Sequence, residues 1–264
     1  MIAPVWSLEM ASASDRGRVR SQNEDSLAAN PELGYAVLAD GMGGCNAGEV
    51  ASRIAVETVD REMRELARNG GLRRNKRSLV EKAVTDRVLS ANAAIYLAAQ
   101  ADPAYAGMGT TLVMALWRDD LVVVAHVGDS RVYRMRQGAL EQLTRDHSLL
   151  QEQIERGLVD KAHARSAPGR NIVTRALGVE PGVEVEVHRH LVQSGDLYLL
   201  CSDGLSDMLD ERALATTLRS AGRDLDSTAD ALVRQANDNG GRDNISVILA
   251  RLRMRDTSRA EAGG

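Results

Sequence analysis

Apolar positions along the chain gather into short segments bounded by turn formers: GYAVLAD at 34 to 40, TTLVMALW at 110 to 117, LVVVAHVGD at 121 to 129 and RVYRM at 131 to 135. Their length and their β-branched and aliphatic content predict strands. RDD at 118 to 120 predicts a tight hairpin between two of them, and RQGAL at 136 to 140 predicts a second turn. GVEVEVHRHLV, GDLYLLCSD and NISVILARL read as later strands, the first and last with alternating character.

Two stretches carry a different period. Between 46 and 68, Val50, Ile54, Val59, Met63 and Leu66 recur at three- to five-residue steps and draw one stripe along a helix. From 79 to 99, Leu79, Ala83, Val84, Val88, Asn92 and Ile95 do the same. Two further helices are predicted near 211 to 220 and 227 to 237. Consecutive long helices between runs of adjacent strands do not give the alternation of a doubly wound parallel sheet. Mostly antiparallel sheets with helices packed outside fit better.

Composition narrows the class. No Pro- or Ser-rich linker, low-complexity block or repeat divides the 264 residues, which predicts one large domain. Hydrophobic residues make up 44%, yet phenylalanine is absent and aromatics are 3%, so Val, Leu, Ile, Ala and Met must fill the core and no base-stacking surface is suggested. A net charge of -4 argues against a general nucleic-acid or anionic-membrane binder. The one basic run, LRRNKR at 72 to 77, lies between two helical patterns and reads as a solvated loop. MIAPVWSLEM has no signal-peptide pattern, and no apolar run reaches membrane-spanning length. The two cysteines, Cys45 and Cys201, form neither a zinc-type pair nor a disulfide framework, so a reducing, cytoplasmic setting is expected.

The candidate chemistry lies in aspartates at strand ends. Asp40 stands before the glycine-rich bend DGMGG; NED at 23 to 25, VGDSR at 127 to 131, CSDGL at 201 to 205 and GGRDN at 240 to 244 place further acids at predicted strand termini. Any one of them alone reads equally as a turn or helix-cap residue. Gathered at one edge, they would repel one another unless cations neutralised them, and an all-oxygen set selects hard ions such as Mg²⁺ or Mn²⁺ over zinc. A bare Gly41 would let its own carbonyl approach such an ion.

Eight ordered blocks, GRVRSQNEDS, VLADGMGGCNAGEVAS, GMGTTLV, AHVGDSRVYR, LTRDHSLL, RNIVTRALG, GDLYLLCSDGLSD and GGRDNISVIL, resemble the metal-dependent serine/threonine protein phosphatases of the PP2C (PPM) family in its compact bacterial form. The resemblance runs from about residue 8 to 252. It implies an α+β fold, a four-layer α-β-β-α sandwich of two antiparallel sheets flanked by helices. It also implies a phosphatase domain over 1–253, with a variable flap about 145–180, and a polar tail at 254–264.

Carried over by position, Asp40 would bridge two metals, the Gly41 carbonyl would complete the first site, and Asp203 and Asp243 would hold the second. Asp129 with Asp203 would form a third, weaker site. Glu24 and Asp25 match an acidic pair acting through bound water, and Arg20 matches the arginine that grips the substrate phosphate with its planar fork. The implied cofactors are two or three Mn²⁺ or Mg²⁺ ions, and the implied reaction is direct attack of a metal-bridging water on phosphoserine or phosphothreonine. The implied partners are phosphorylated proteins made by a Ser/Thr kinase, met by a monomer that binds neither nucleic acid nor membrane. A turnover-deficient module that binds phosphoproteins and a small-molecule phosphatase on the same site are the alternatives.

Met42 stands where many eukaryotic members have His and cannot donate a proton to the leaving oxygen; bacterial members commonly share it. Cys45 occupies a position often held by His, and its oxidation could disturb the metal loop. His126 reads as a satisfied core residue, His147 follows Asp146 in TRDHS, and His163, His188 and His190 show no metal-type grouping beyond the strand alternation of the last two. Asp146 is expected to cap a helix at 148 to 156, Asp207 to act as a cap, and Asn244 to fix the turn beside Asp243. Arg165, Arg170 and Arg175 in the flap could help select phosphopeptides or face solvent.

Overall fold

A computed structural model describes residues 6–43, 47–71, 77–160, 169, 171–222 and 224–254. In chain order the elements are β1 (Trp6–Asp15), β2 (Asp25–Asn30), β3 (Tyr35–Met42), α1 (Ala47–Arg68), α2 (Arg77–Ala101), a 3-10 turn (Pro103–Tyr105), β4 (Gly109–Thr110), β5 (Leu112–Arg118), β6 (Leu121–Val127), β7 (Arg131–Arg136), β8 (Ala139–Gln142), α3 (Leu149–Glu155), β9 (Glu186–Leu191), β10 (Leu197–Cys201), α4 (Asp203–Ser206), α5 (Glu211–Arg219), α6 (Leu225–Asp238) and β11 (Ile245–Met254). One sheet has the order β1-β11-β10-β7-β8; the other runs β2-β3-β5-β6-β9 with β4 beside β3. Every described pairing is antiparallel.

The continuous apolar runs are explained by cover on both faces. In β3, Tyr35, Val37 and Ala39 belong to the core shared with α1 and α2, whereas Ala36 and Leu38 belong to the core between the sheets. The alternation thus persists as a choice of core. Between the sheets, Leu38, Val113 and Val124 meet Tyr198, Leu200 and Ile248, and Trp117 packs edge-on to Tyr198 with centroids 5.4 Å apart. On the other side, Leu199, Val247 and Leu249 face Leu214, Leu218, Leu232 and Ala236 of α5 and α6. These three cores separate four layers, α-β-β-α, as expected. The stripe of α1 is buried at Ala51, Ala55, Val59 and Met63, whose small alanines let the helix approach the sheet closely.

Several expectations are corrected. Residues 6–15 form β1, paired along its whole length with β11, although Ala and Ser give MASAS little strand propensity. The strand predicted over TTLVMALW breaks at Thr111, which turns its backbone to Asp40. RQGAL is a turn only at its start, where Gln137 and Gly138 have φ of 50° and 80°; Ala139 already begins β8. GVEVEVHRHLV is strand only over Glu186–Leu191. Asp146 does not cap α3; Ser148 does, accepting from the Gln151 amide at 3.2 Å. Asn92, read as part of an apolar stripe, is buried because its amide holds the carbonyls of Glu180 and Pro181 and accepts from the Gly178 N–H. Cys45, Arg165, Arg170, most of LRRNKR and all but the first residue of the tail lie outside the described residues. No helix among the described residues is long and apolar enough to cross a membrane.

Candidate metal centre

Sheet register brings the strand-end acids to one end of the sandwich. Asp25, first in β2, lies opposite Asp40 in β3. Val127 pairs with Leu112, so Asp129 emerges from β6 beside the Thr111 break. In the other sheet Cys201 pairs with Arg131 and with Val247, so Asp203 leaves β10 beside the turn into β11 that carries Asp243. Arg20 and Glu24 come from the loop between β1 and β2. Arg20 Nη2 donates to Asp243 Oδ2 at 2.6 Å.

The backbone around these acids is tightly specified. The Asp40 carbonyl accepts from the Thr111 amide at 2.9 Å and the Thr110 hydroxyl at 2.8 Å, and its amide donates to Thr111 Oγ1 at 3.0 Å. A Cβ on Gly41 would lie 2.1 Å from the Gly48 carbonyl oxygen and 2.6 Å from that of Glu24, so only glycine passes between them. Asn244 donates to the carbonyls of Arg16 and Gln22 and accepts from the Glu24 amide, tying the β1–β2 loop to the Asp243 turn. Ser202 donates to Asp25 Oδ2 at 2.9 Å. Thr110, Thr111 and Ser202 escaped the sequence reading because a hydroxyl bonded to a distant backbone leaves no periodic signal.

The electrostatics are those of crowded acids. Burial, then the charges of Asp25, Asp203, Asp129 and Asp243, push Asp40 well above the ordinary carboxylate range. Burial, then Asp129, Asp243, Asp207 and Asp25, do the same to Asp203. Asp25 and Asp129 are pushed up to about 6, in each case by burial first. Burial also raises Glu24, with Arg20 pulling against it. Asp25 Oδ1 is buried without a hydrogen-bond partner; Ser246 is close enough to lower the Asp25 pKa but does not reach that oxygen with hydrogen-bond geometry.

A buried, orphaned carboxylate oxygen among mutually repelling acids, with no thiolate or imidazole in the set, fits hard divalent cations. A cavity of about 430 Å³ opens beside Asp129 and Asp203, walled by Leu150, Ile154 and Leu209 with Asp207 at its edge. Cys201, beneath Asp203, is wholly buried and its thiol is pushed up to about 12 by burial.

Asp146 is engaged by Arg131, which makes a bidentate pair with it, at 2.9 Å from Nε and 2.5 Å from Nη2, and also donates to the Tyr133 hydroxyl; after burial, the Asp146 charge is the largest influence raising Asp129. Arg175 is neither free in solvent nor aimed at the acids; it pairs with Glu184 at 3.0 Å. Two histidines group with an acid elsewhere: candidate donor atoms of His126, His147 and Glu186 lie within 4.8 Å of one another. The two rings stack at 4.7 Å with 17° between planes. A metal lies in the plane of each imidazole that binds it, so stacked rings cannot share one, and this group is not the predicted centre.

Comparison with known proteins agrees with this geometry. The protein phosphatase 2C family profile matches residues 16–250. The serine/threonine phosphatase stp of Listeria welshimeri is 39% identical over 249 residues, covering 93% of this chain and 96% of its own. The crystal structure of the Mycobacterium tuberculosis serine/threonine phosphatase PstP/Ppp superposes with a TM-score of 0.85 at 34% identity, covering 94% of this chain and 99% of the other. The catalytic domain of serine threonine protein phosphatase PstP in complex with two manganese ions gives a TM-score of 0.81 at 32% identity, covering 94% and 100%.

Proposed function

The chain belongs to the protein phosphatase 2C family, and from that premise we propose that it is a metal-dependent phosphatase hydrolysing phosphoserine and phosphothreonine monoesters on proteins. The observation that carries this is the gathering of Asp25, Asp40, Asp129 and Asp203, Asp129 buried and the other three half-buried, in mutual repulsion at one end of the sandwich, with an arginine at its mouth.

Asp40, Gly41, Asp203 and Asp243 would hold two Mn²⁺ or Mg²⁺ ions, and Asp129 with Asp203 would hold a third. Bound there, such ions lower the pKa of water and offset negative charge on phosphoryl oxygens. Glu24 and Asp25 accept hydrogen bonds from water around that set. Arg20, with its side chain 54% exposed, turns its planar fork to the substrate phosphate in two charge-assisted hydrogen bonds. The attacking group is water and not a side chain: Cys201 is buried and stays a thiol, and Met42 has no proton to move. The cavity beside Asp129 takes the residues that flank the phosphorylated one. The enzyme works as a monomer in the cytoplasm, on proteins modified by a Ser/Thr kinase, and binds neither nucleic acid nor membrane.

The test is phosphate release from a phosphothreonine peptide and, in parallel, from free phosphometabolites, across a Mn²⁺ titration with EDTA as control. Manganese-dependent release from the peptide, lost in Asp203→Ala, is the expected result. Release from metabolites alone would make it a small-molecule phosphatase; peptide binding without release would make it an interaction module.

A further inference from the structure

We propose that His147 is a positioning residue for Asp129, setting the Gly128–Asp129 turn from the root of the 145–180 segment through one obligatory imidazole tautomer; this rests on Asp129 belonging to a metal site. His147 and Gly128 clasp each other twice. The His147 amide donates to the Gly128 carbonyl at 2.9 Å, and the Gly128 amide donates to His147 Nδ1 at 3.1 Å.

A backbone N–H can only donate, so Nδ1 must offer its lone pair and the ring proton must sit on Nε2. That proton is directed at Glu186 Oε2, 3.1 Å away, and Glu186 Oε1 takes the His188 Nε2 proton at 2.6 Å. Arg175 Nη1, 3.3 Å from the same Nε2, is a second donor facing a donor and makes no bond there; Glu184 anchors it. His147 is buried, and burial first of all lowers its pKa, which keeps the ring neutral.

The other leg of the segment is strapped to the same residue. The His147 carbonyl accepts from the Thr174 amide at 2.8 Å, and Ser148 bridges to Val173. Its ring stacks on His126, whose Nε2 donates to the Arg145 carbonyl at 2.7 Å. On its opposite side Gly128, at φ 101°, abuts Thr111, whose side chain a Cβ would meet at 2.7 Å. The peptide preceding Asp129 is therefore held between Thr111, which also fixes Asp40, and His147, which also fixes both legs of the segment.

Two substitutions separate the two nitrogens. His147→Asn keeps an acceptor where Nδ1 stands and loses the donor to Glu186; His147→Gln keeps a donor where Nε2 stands and loses the acceptor for Gly128. Mn²⁺ binding to the metal-free chain is followed by calorimetry, with ¹⁵N spectra of the histidine rings of the wild type. We expect His147→Gln to weaken the weakest Mn²⁺ step by about tenfold or more, the usual cost of losing an outer support, while His147→Asn stays within about threefold. The spectrum should report protonation at Nε2. Equal loss in both variants, no loss in either, or a ring protonated at Nδ1 would overturn the proposal. Asp129→Ala is the control: if it leaves the weakest step intact, the assignment of Asp129 falls and this proposal with it. If it removes that step and His147→Gln does not, only the role of His147 falls.

Discussion

Arg20 and Asp243, 223 positions apart in the chain, are joined at 2.6 Å between Nη2 and Oδ2, and the Asp243 hydrogen bond is the largest influence raising the Arg20 pKa. The arginine proposed to hold phosphate thus shares an oxygen with an aspartate proposed to hold metal. Removing it should move two measurements in opposite directions. In Arg20→Ala, kcat/KM for a phosphothreonine peptide should fall about 100-fold, the scale of losing one preorganised donor to the transition state. Mn²⁺ affinity, measured by calorimetry without substrate, should tighten severalfold because a competing cation is gone. Arg20→Lys should recover part of the activity and not the bidentate geometry.

Asp40 is driven upward by burial and by four neighbouring aspartates, so its charge opposes folding when no cation is present. Asp40→Asn should therefore raise the thermal midpoint of the EDTA-treated protein and lower it, relative to wild type, in saturating Mn²⁺. Phosphatase activity should fall at least about 1,000-fold, since electrostatic stabilisation at the reacting centre is lost. Thermal melts of both proteins in both conditions check it.

Much of this centre is legible in the chain because acids at strand ends beside glycine leave a local mark: Asp40, Asp129, Asp203 and Asp243 each announce a strand terminus. The sheet order that brings them together does not, since β1 beside β11 joins the two ends of the chain. The supports are invisible for a related reason. Asn92 reads as a stripe position until Gly178, 86 residues away, is seen to need its amide oxygen. His126 and Glu186 meet because β6 pairs with β9, and His147 joins them through its bonds to Gly128. Asp146 carries the composition of a helix cap, but the half-buried Arg131 outcompetes the helix for it.

The acid cluster also predicts a pH dependence with a definite sign. Asp129 titrates near 6 in the folded, metal-free chain against an ordinary value of 3.8, so the folded state holds more protons than the unfolded one between those values. Stability from this group falls as pH rises through that window and stays low above it. His126, lowered to about 4 chiefly by burial, runs the other way, and Glu186, at about 2, acts only below its ordinary range. The informative quantity is a difference in which those groups cancel. In EDTA, the melting midpoint of Asp129→Asn minus that of wild type should be positive at pH 7.5 and shrink toward zero on acidification to pH 4, by a few degrees in all.

Gly204 couples folding to the metal centre more directly than any acid. It is the second residue of α4, buried, and a Cβ there would lie 2.0 Å from the Asn244 carbonyl oxygen and 3.5 Å from the Asp243 carbonyl carbon. Both atoms are backbone, so no side-chain rotation relieves the overlap; α4 or the β11 turn must move. Asp203 starts that helix and Asp243 lies in that turn, so the movement separates two proposed ligands of one ion. It also shifts Asn244, whose side chain holds Arg16, Gln22 and Glu24, and hence the loop bearing Arg20. Gly204→Ala should cost about 1–3 kcal/mol of stability by denaturant titration, as overpacking does, with at least tenfold losses in Mn²⁺ affinity and kcat. Gly182→Ala, where nothing lies within 4 Å, is the matched control and should leave all three measurements unchanged.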